Sequence, residues 1–136
     1  MLPSLHDDFL VSYEVNCETR QIKLSARPDA RNDARKEERA ARTIVFNGVA
    51  GYQFENDAFG NIIYSLDTIP VEKLLAEYGS RIAQSYRLAG APGSWAADLA
   101  SATQALTAKG VQGFILSSSL GLSGWVLAKE ALVEQT

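Results

Sequence analysis

A single cysteine, Cys17, and a single histidine, His6, are all that this 136-residue chain holds of two residue types central to metal binding and nucleophilic catalysis. One thiol makes neither an internal disulfide nor a cysteine-rich metal site, which suits a reducing compartment. Any Ser-His-Asp or Cys-His centre would have to recruit His6. His6-Asp7-Asp8 places metal-ligating types in a row. A metal needs ligands that converge, however, and consecutive side chains diverge. The triplet reads as a solvated lead-in to the first strand, and Cys17 as an ordinary turn thiol. Long apolar runs are missing too. Gly110 to Ala128 leans apolar but is broken by serines and glycines, short of the ~20 residues that span a bilayer. The opening MLPSLHDDFLV lacks a basic segment followed by an apolar run, so no secretory leader is expected and the predicted location is the cytoplasm. Neither a dinucleotide fingerprint nor a P-loop is present. No cofactor, no metal and no membrane contact are therefore expected.

Charge of one sign is scarce as well: 13 Lys and Arg stand against 16 Asp and Glu, a net −3. The basic excess is confined to residues 27–42, where six Lys and Arg mix with four Asp and Glu. A mixed run is not the clustered basic face of a nucleic-acid binder, so nucleic acid is not an expected partner. That run also lacks any large apolar side chain and reads as a mobile charged loop inside one domain spanning 1–136.

What the chain does have is period-two patterning, then period 3.6. Phe9, Val11, Tyr13 and Val15 alternate, and Ile22, Leu24 and Ala26 repeat the alternation after a turn at Asn16–Thr19. Together they predict an antiparallel hairpin. Arg42–Asn47 reads as a third, central strand. Gly48 and Gly51 around Val49-Ala50 suggest a bulge or sharp bend. Gly51–Glu55 then reads as a fourth strand, Asn56–Asn61 as a turn and Asn61–Leu66 as a fifth strand. Thr68 is placed to cap a helix carrying Val71, Leu74, Leu75, Tyr78, Ile82 and Tyr86. Gly79 would split that helix, with Ser80 capping the second part. Ser94 is placed to cap a second helix, Trp95–Lys109, stopped by Gly110. Val111–Ser117 and Gly124–Lys129 read as a closing hairpin around Ser118–Ser123. Strands and helices fall in blocks, which predicts an α+β fold. Its sheet would be mainly antiparallel, of about seven strands, with the helices packed on one face.

Two groups of residues stand out as candidate sites. Glu55, Asp57 and Phe59 cluster at a predicted hairpin tip, and Trp95 follows a Gly/Pro loop. Acidic and aromatic side chains of this kind suit the rim and centre of a protein interface. Ser118, Ser119, Gly121 and Ser123 form a hydroxyl- and glycine-rich loop able to bring backbone N–H groups near an anion. Trp125 and Tyr78 read as core.

The run Val45-Phe46-Asn47-Gly48-Val49-Ala50-Gly51-Tyr52-Gln53-Phe54, followed by Gly60-Asn61-Ile62-Ile63-Tyr64-Ser65-Leu66, has a recognisable rhythm. It resembles small bacterial α+β proteins, some of them similar to immunity proteins of polymorphic toxin systems. The resemblance covers residues 9–66 and more weakly the closing hairpin. It implies an opening hairpin, a strand pair and a later helical part, with function by partner binding. It carries over no functional residue, and the charged insert at 27–42 departs from it.

The expected function is a non-enzymatic domain that binds another protein, a basic one by charge, as an immunity-type inhibitor would. The alternative is a small-molecule binder or enzyme with a sheet–helix pocket whose mouth is the Ser117–Ser123 loop. A homodimer through an exposed strand edge is a third expectation.

Overall fold

A computed structural model describes residues 2–28 and 41–135. Among the described residues six strands run in the order β1 (Asp8–Asn16), β2 (Gln21–Pro28), β3 (Arg42–Glu55), β4 (Ile62–Ile69), β5 (Gln112–Leu120) and β6 (Ser123–Gln135). Helix α1 (Val71–Ala89), a 3-10 turn (Ser94–Ala97) and helix α2 (Leu99–Ala108) are inserted between β4 and β5. The fold is α+β with an antiparallel sheet, as the block order implies. The sheet closes into a barrel in the order β1-β2-β3-β6-β5-β4. The seam is narrow: Phe9 pairs with Ile62, and Asp7 N and Leu10 N donate to Ile63 O and Asn61 O, each at 2.9 Å. Closure joins only the start of β1 to the start of β4, where an open sheet was expected.

The expected count of about seven strands is corrected to six because 42–47 and 51–55 belong to one strand. Both halves pair with β6, and the register shifts between Val49 and Gly51. The glycines put a bulge in the ladder without ending it. Gly48 sits at φ +63°, and a Cβ on Gly51 would lie 2.8 Å from Pro92. A second bulge, between Leu10 and Ser12, rotates β1 so that Phe9 and Val11 do not share the inward face with Val15. Leu10 is buried instead and Val11 is exposed.

The helical part is also divided differently. Thr68 lies in β4, and the helix starts after Pro70, whose carbonyl accepts from Lys73 N and Leu74 N. Gly79 does not split α1; it is buried where Leu99 comes within 3.5 Å of a would-be Cβ. Residues 95–109 are not one helix. Asp98 interrupts the run and caps α2, accepting from Ala100 N at 3.1 Å, an orphan donor of the first turn, and from Ser101 Oγ at 3.0 Å. Gly110 ends α2 at φ +80° as expected. The closing hairpin is longer than its apolar pattern: β5 runs on to Leu120 and β6 starts at Ser123. The expected loop at 27–42 is shorter at both ends, since β2 runs through Pro28 and β3 starts at Arg42. Its remaining residues, 29–40, lie outside the described ones.

Two apolar layers share β6. Val126 and Ala128 face the barrel interior with Leu24, Ile44, Phe46, Phe114 and Leu116. Trp125 and Leu127 face outward beneath Leu74, Ile82, Ala102 and Leu106 of the helices. All four of these β6 residues are buried, which is why this stretch reads as apolar without alternation. Phe46 and Phe114 meet edge-on across the interior, centroids 5.1 Å apart.

Candidate functional site

The β3–β4 connection is fixed by three polar side chains. Asp57 Oδ1 accepts from Phe59 N at 2.9 Å and from Asn61 Nδ2 at 3.1 Å. Its Oδ2 accepts from the Tyr13 hydroxyl of β1 at 2.5 Å. Asn61, which is buried, accepts from Ala58 N at 3.0 Å and Leu122 N at 2.8 Å. The bond from Tyr13 does most to hold the Asp57 carboxyl below the usual carboxylate range, with the Phe59 amide N–H and Asn61 adding to it. The same bond raises the Tyr13 phenol above its ordinary value, with burial and the Asp57 charge adding to it. The loop therefore presents an ionised carboxylate in a set position.

Beside it, Phe59 is 94% exposed and sits at φ +57°. An aromatic side chain in the left-handed region is both sterically and hydrophobically unfavourable on its own. Tyr13 packs on Phe54 at 6.1 Å, and Tyr52 packs on the same ring at 5.4 Å. Tyr13 and Tyr52 are each partly exposed. Asp57 and Phe59 thus lie side by side, and Tyr13 joins them. Tyr13 was missed because its pairing with Asp57 spans 44 positions and leaves no local signal.

Glu55 and Trp95 do not belong to that cluster. Glu55 accepts from Arg81 of α1 at 3.1 Å and lines a cleft of about 250 Å³ with Tyr78, Ser118, Ser123 and Trp125. One member of the acidic group, Glu55, and two of the serine group, Ser118 and Ser123, are brought together here. Burial is the main cause of the raised Tyr78 phenol value. Trp125 is 2% exposed and its Nε1 is a buried donor with no partner among the described residues. Ser118 donates to Leu122 O within its own hairpin. Gly121 sits against Asn61, where a Cβ would come within 2.0 Å of Oδ1, so packing accounts for this glycine. Ser119 lies within β5 rather than in a loop. Trp95 is half-buried, donates to Ala50 O at 2.9 Å, and lies against Gly51 and Gly93.

Among the described residues no group of three or more His, Cys, Asp or Glu converges on a point that could hold a metal. His6 stacks edge-on with Tyr64 at 5.3 Å. Cys17 is exposed in the β1–β2 turn. No described helix is long and apolar enough to cross a membrane. No protein-family model, curated protein or solved structure was found to match the chain.

Proposed function

We propose that this chain is a non-enzymatic protein-binding domain, bacterial and cytoplasmic, acting as an immunity-type inhibitor of a toxin. Its contact face is centred on Phe59 and Asp57, with Tyr13 supporting them. Phe59 carries the reading. A fully presented aromatic ring on a loop tied down by Asp57 and Asn61 is preorganised, so little ordering entropy opposes its insertion into a partner's pocket. Asp57 adds a fixed negative charge that steers a basic partner and blocks a cationic active site.

The test is a comparative capture from the native host, read by mass spectrometry. Wild-type bait, Phe59→Ala, Asp57→Lys and a control reversal at the start of α1, Glu72→Lys, are run in parallel. The reading expects one near-stoichiometric basic partner held by wild type and by Glu72→Lys, and lost from the other two. Equal capture by all four baits overturns it. A stable second copy on this face would register as a dimer in light scattering and would replace the inhibitor reading with a homodimer.

A second reading has its own support. The unpartnered Trp125 Nε1 beside a cleft lined by Ser118, Ser123 and the Glu55–Arg81 pair fits a small molecule offering one acceptor. Thermal-shift screening of metabolites on wild type and Arg81→Gln discriminates. A stabilising hit lost with Arg81→Gln moves the function to this cleft.

A further inference from the structure

A different cavity, of about 570 Å³, lies where the β1–β2 turn, the start of the 3-10 turn and the end of α2 meet the outer wall of β3 and β6. Its lining combines three cations from three separate elements, Arg20, Lys109 and Lys129, with the apolar surfaces of Trp95, Leu106 and Val111. Among the described residues no acidic side chain lines it, although the chain as a whole is net negative. None of the three cations has an ion-pair partner among the described residues, whereas Arg81 has Glu55. The cations are exposed at the rim, while Leu106 and Val111 are buried beneath.

Each element of the rim has a fixed position. Arg20 adopts φ +57°, uncommon for a non-glycine residue, and its carbonyl accepts from Val49 N at 3.0 Å. The stem of Lys129 rests on Gly48, where a Cβ would meet it at 2.9 Å. The Trp95 indole is held by its bond to Ala50 O and by contact with Gly51 and Gly93. Like charges gathered without counterions repel one another, and a ligand that neutralises them recovers that energy. A monovalent carboxylate satisfies one such group. A phosphate dianion brings three acceptor oxygens, one for each of three cations carried on three separate elements. The volume falls within the usual range for small-molecule sites, and an apolar floor under a charged rim calls for an apolar body with the charge at one end.

We infer that this cavity binds a small phosphorylated organic molecule, its apolar or planar body against Trp95 and its phosphate facing Arg20, Lys109 and Lys129. The site is separate from the Phe59 face and does not rest on the inhibitor reading.

Isothermal titration of the full chain with 1-naphthyl phosphate tests it, with 1-naphthol and inorganic phosphate as the two half-probes. The inference expects the intact probe to bind at least about tenfold tighter than either half. It further expects Lys129→Gln and Lys109→Gln each to weaken binding by about tenfold, the scale of one hydrogen bond to a charged group. Lys73→Gln, on α1, should leave affinity unchanged. Chemical-shift changes should centre on the Trp95 indole N–H and the Gly48 amide. The inference is overturned if 1-naphthol binds as well as 1-naphthyl phosphate, or if inorganic phosphate does. It also falls if the intact probe binds the two lysine variants as it binds wild type. Should Lys129→Gln fail to fold, because its stem covers Gly48, Lys109→Gln and Arg20→Gln carry the same comparison.

Discussion

The side-chain carbonyl of Asn61 accepts the backbone N–H of Leu122 at 2.8 Å, so one buried amide ties the β3–β4 loop to the β5–β6 turn. The same oxygen takes the N–H of Ala58, and the amide nitrogen donates to Asp57. Asn61 thereby serves as the strut behind the proposed contact face. Asn61→Ala leaves the Leu122 N–H buried without a partner, which costs about 1–3 kcal/mol. Urea denaturation should register that loss, and hydrogen exchange at Leu122 should accelerate. Gly121→Ala should be at least as damaging, because its Cβ would lie 2.0 Å from Asn61 Oδ1 at a φ of +93°. An unchanged urea midpoint for either variant would show that the strut is not rigid.

The Tyr13–Asp57 bond makes a pH prediction at both ends of the scale. The folded-state value of Asp57 is depressed. Its stabilising contribution is therefore full above the unfolded carboxylate value of about 3.9 and is lost as pH falls through the folded value. The folded-state value of Tyr13 is raised, so its contribution is present below about 10 and is lost as pH rises through the folded value. Tyr13→Phe should move the Asp57 midpoint back up, though not fully, since the Phe59 and Asn61 donors remain. A carboxyl-carbon NMR titration of wild type and variant measures this directly. Coincident Asp57 curves would mean that the phenol does not donate to it in solution.

Gly79 offers a gain in stability. It lies inside α1 and has no positive φ, and an added Cβ meets Leu99 Cδ1 at 3.5 Å, an ordinary van der Waals distance. Alanine is favoured over glycine in a helix interior by about 1 kcal/mol, partly through the unfolded chain. Gly79→Ala should raise stability by about 0.5–1 kcal/mol, visible as a higher melting midpoint. A lower midpoint would mean that α1 and the Leu99 region pack more closely than this contact allows.

Local pattern carried much of the fold, and long-range pairing carried the rest. The β1–β2 hairpin, the strand character of β3 and the Gly110 stop were legible because each depends on residues close in sequence. The seven-strand count was misread because Gly48 and Gly51 look like breaks from within one strand. They become a bulge only when β6 supplies a ladder on both sides of it. Barrel closure had no signal at all, since it rests on the pairing of Phe9 with Ile62, 53 positions away. Asp98 rather than Ser94 caps α2 because Ser94 is taken up in the 3-10 turn before it, and the Asp98 carboxylate reaches Ala100 N. At the candidate sites, residue types were readable and neighbourhoods were not. Glu55 and Asp57 are near in the chain, yet β3 ends at Glu55, Asn56 turns the backbone at φ +69°, and the bond to Arg81 holds Glu55 in the cleft with Ser118 and Ser123. Arg20, Lys109 and Lys129 lie too far apart in sequence to read as one patch.

Phe59 separates a structural role from a binding role in one substitution. Left-handed backbone costs a non-glycine residue about 1 kcal/mol, and a glycine there costs a similar amount through unfolded-chain entropy. The ring itself buries almost nothing, being 94% exposed. Phe59→Gly should therefore hold stability within about 0.5 kcal/mol of wild type. Phe46→Ala, which empties a fully buried ring site in the barrel interior, should cost about 3–5 kcal/mol. If Phe59 anchors a partner, Phe59→Gly should lose about 2 kcal/mol of binding, roughly a thirtyfold weaker Kd, while its melting midpoint stays put. A large loss of stability without a change in affinity would assign the ring to folding and leave the proposed face without its centre.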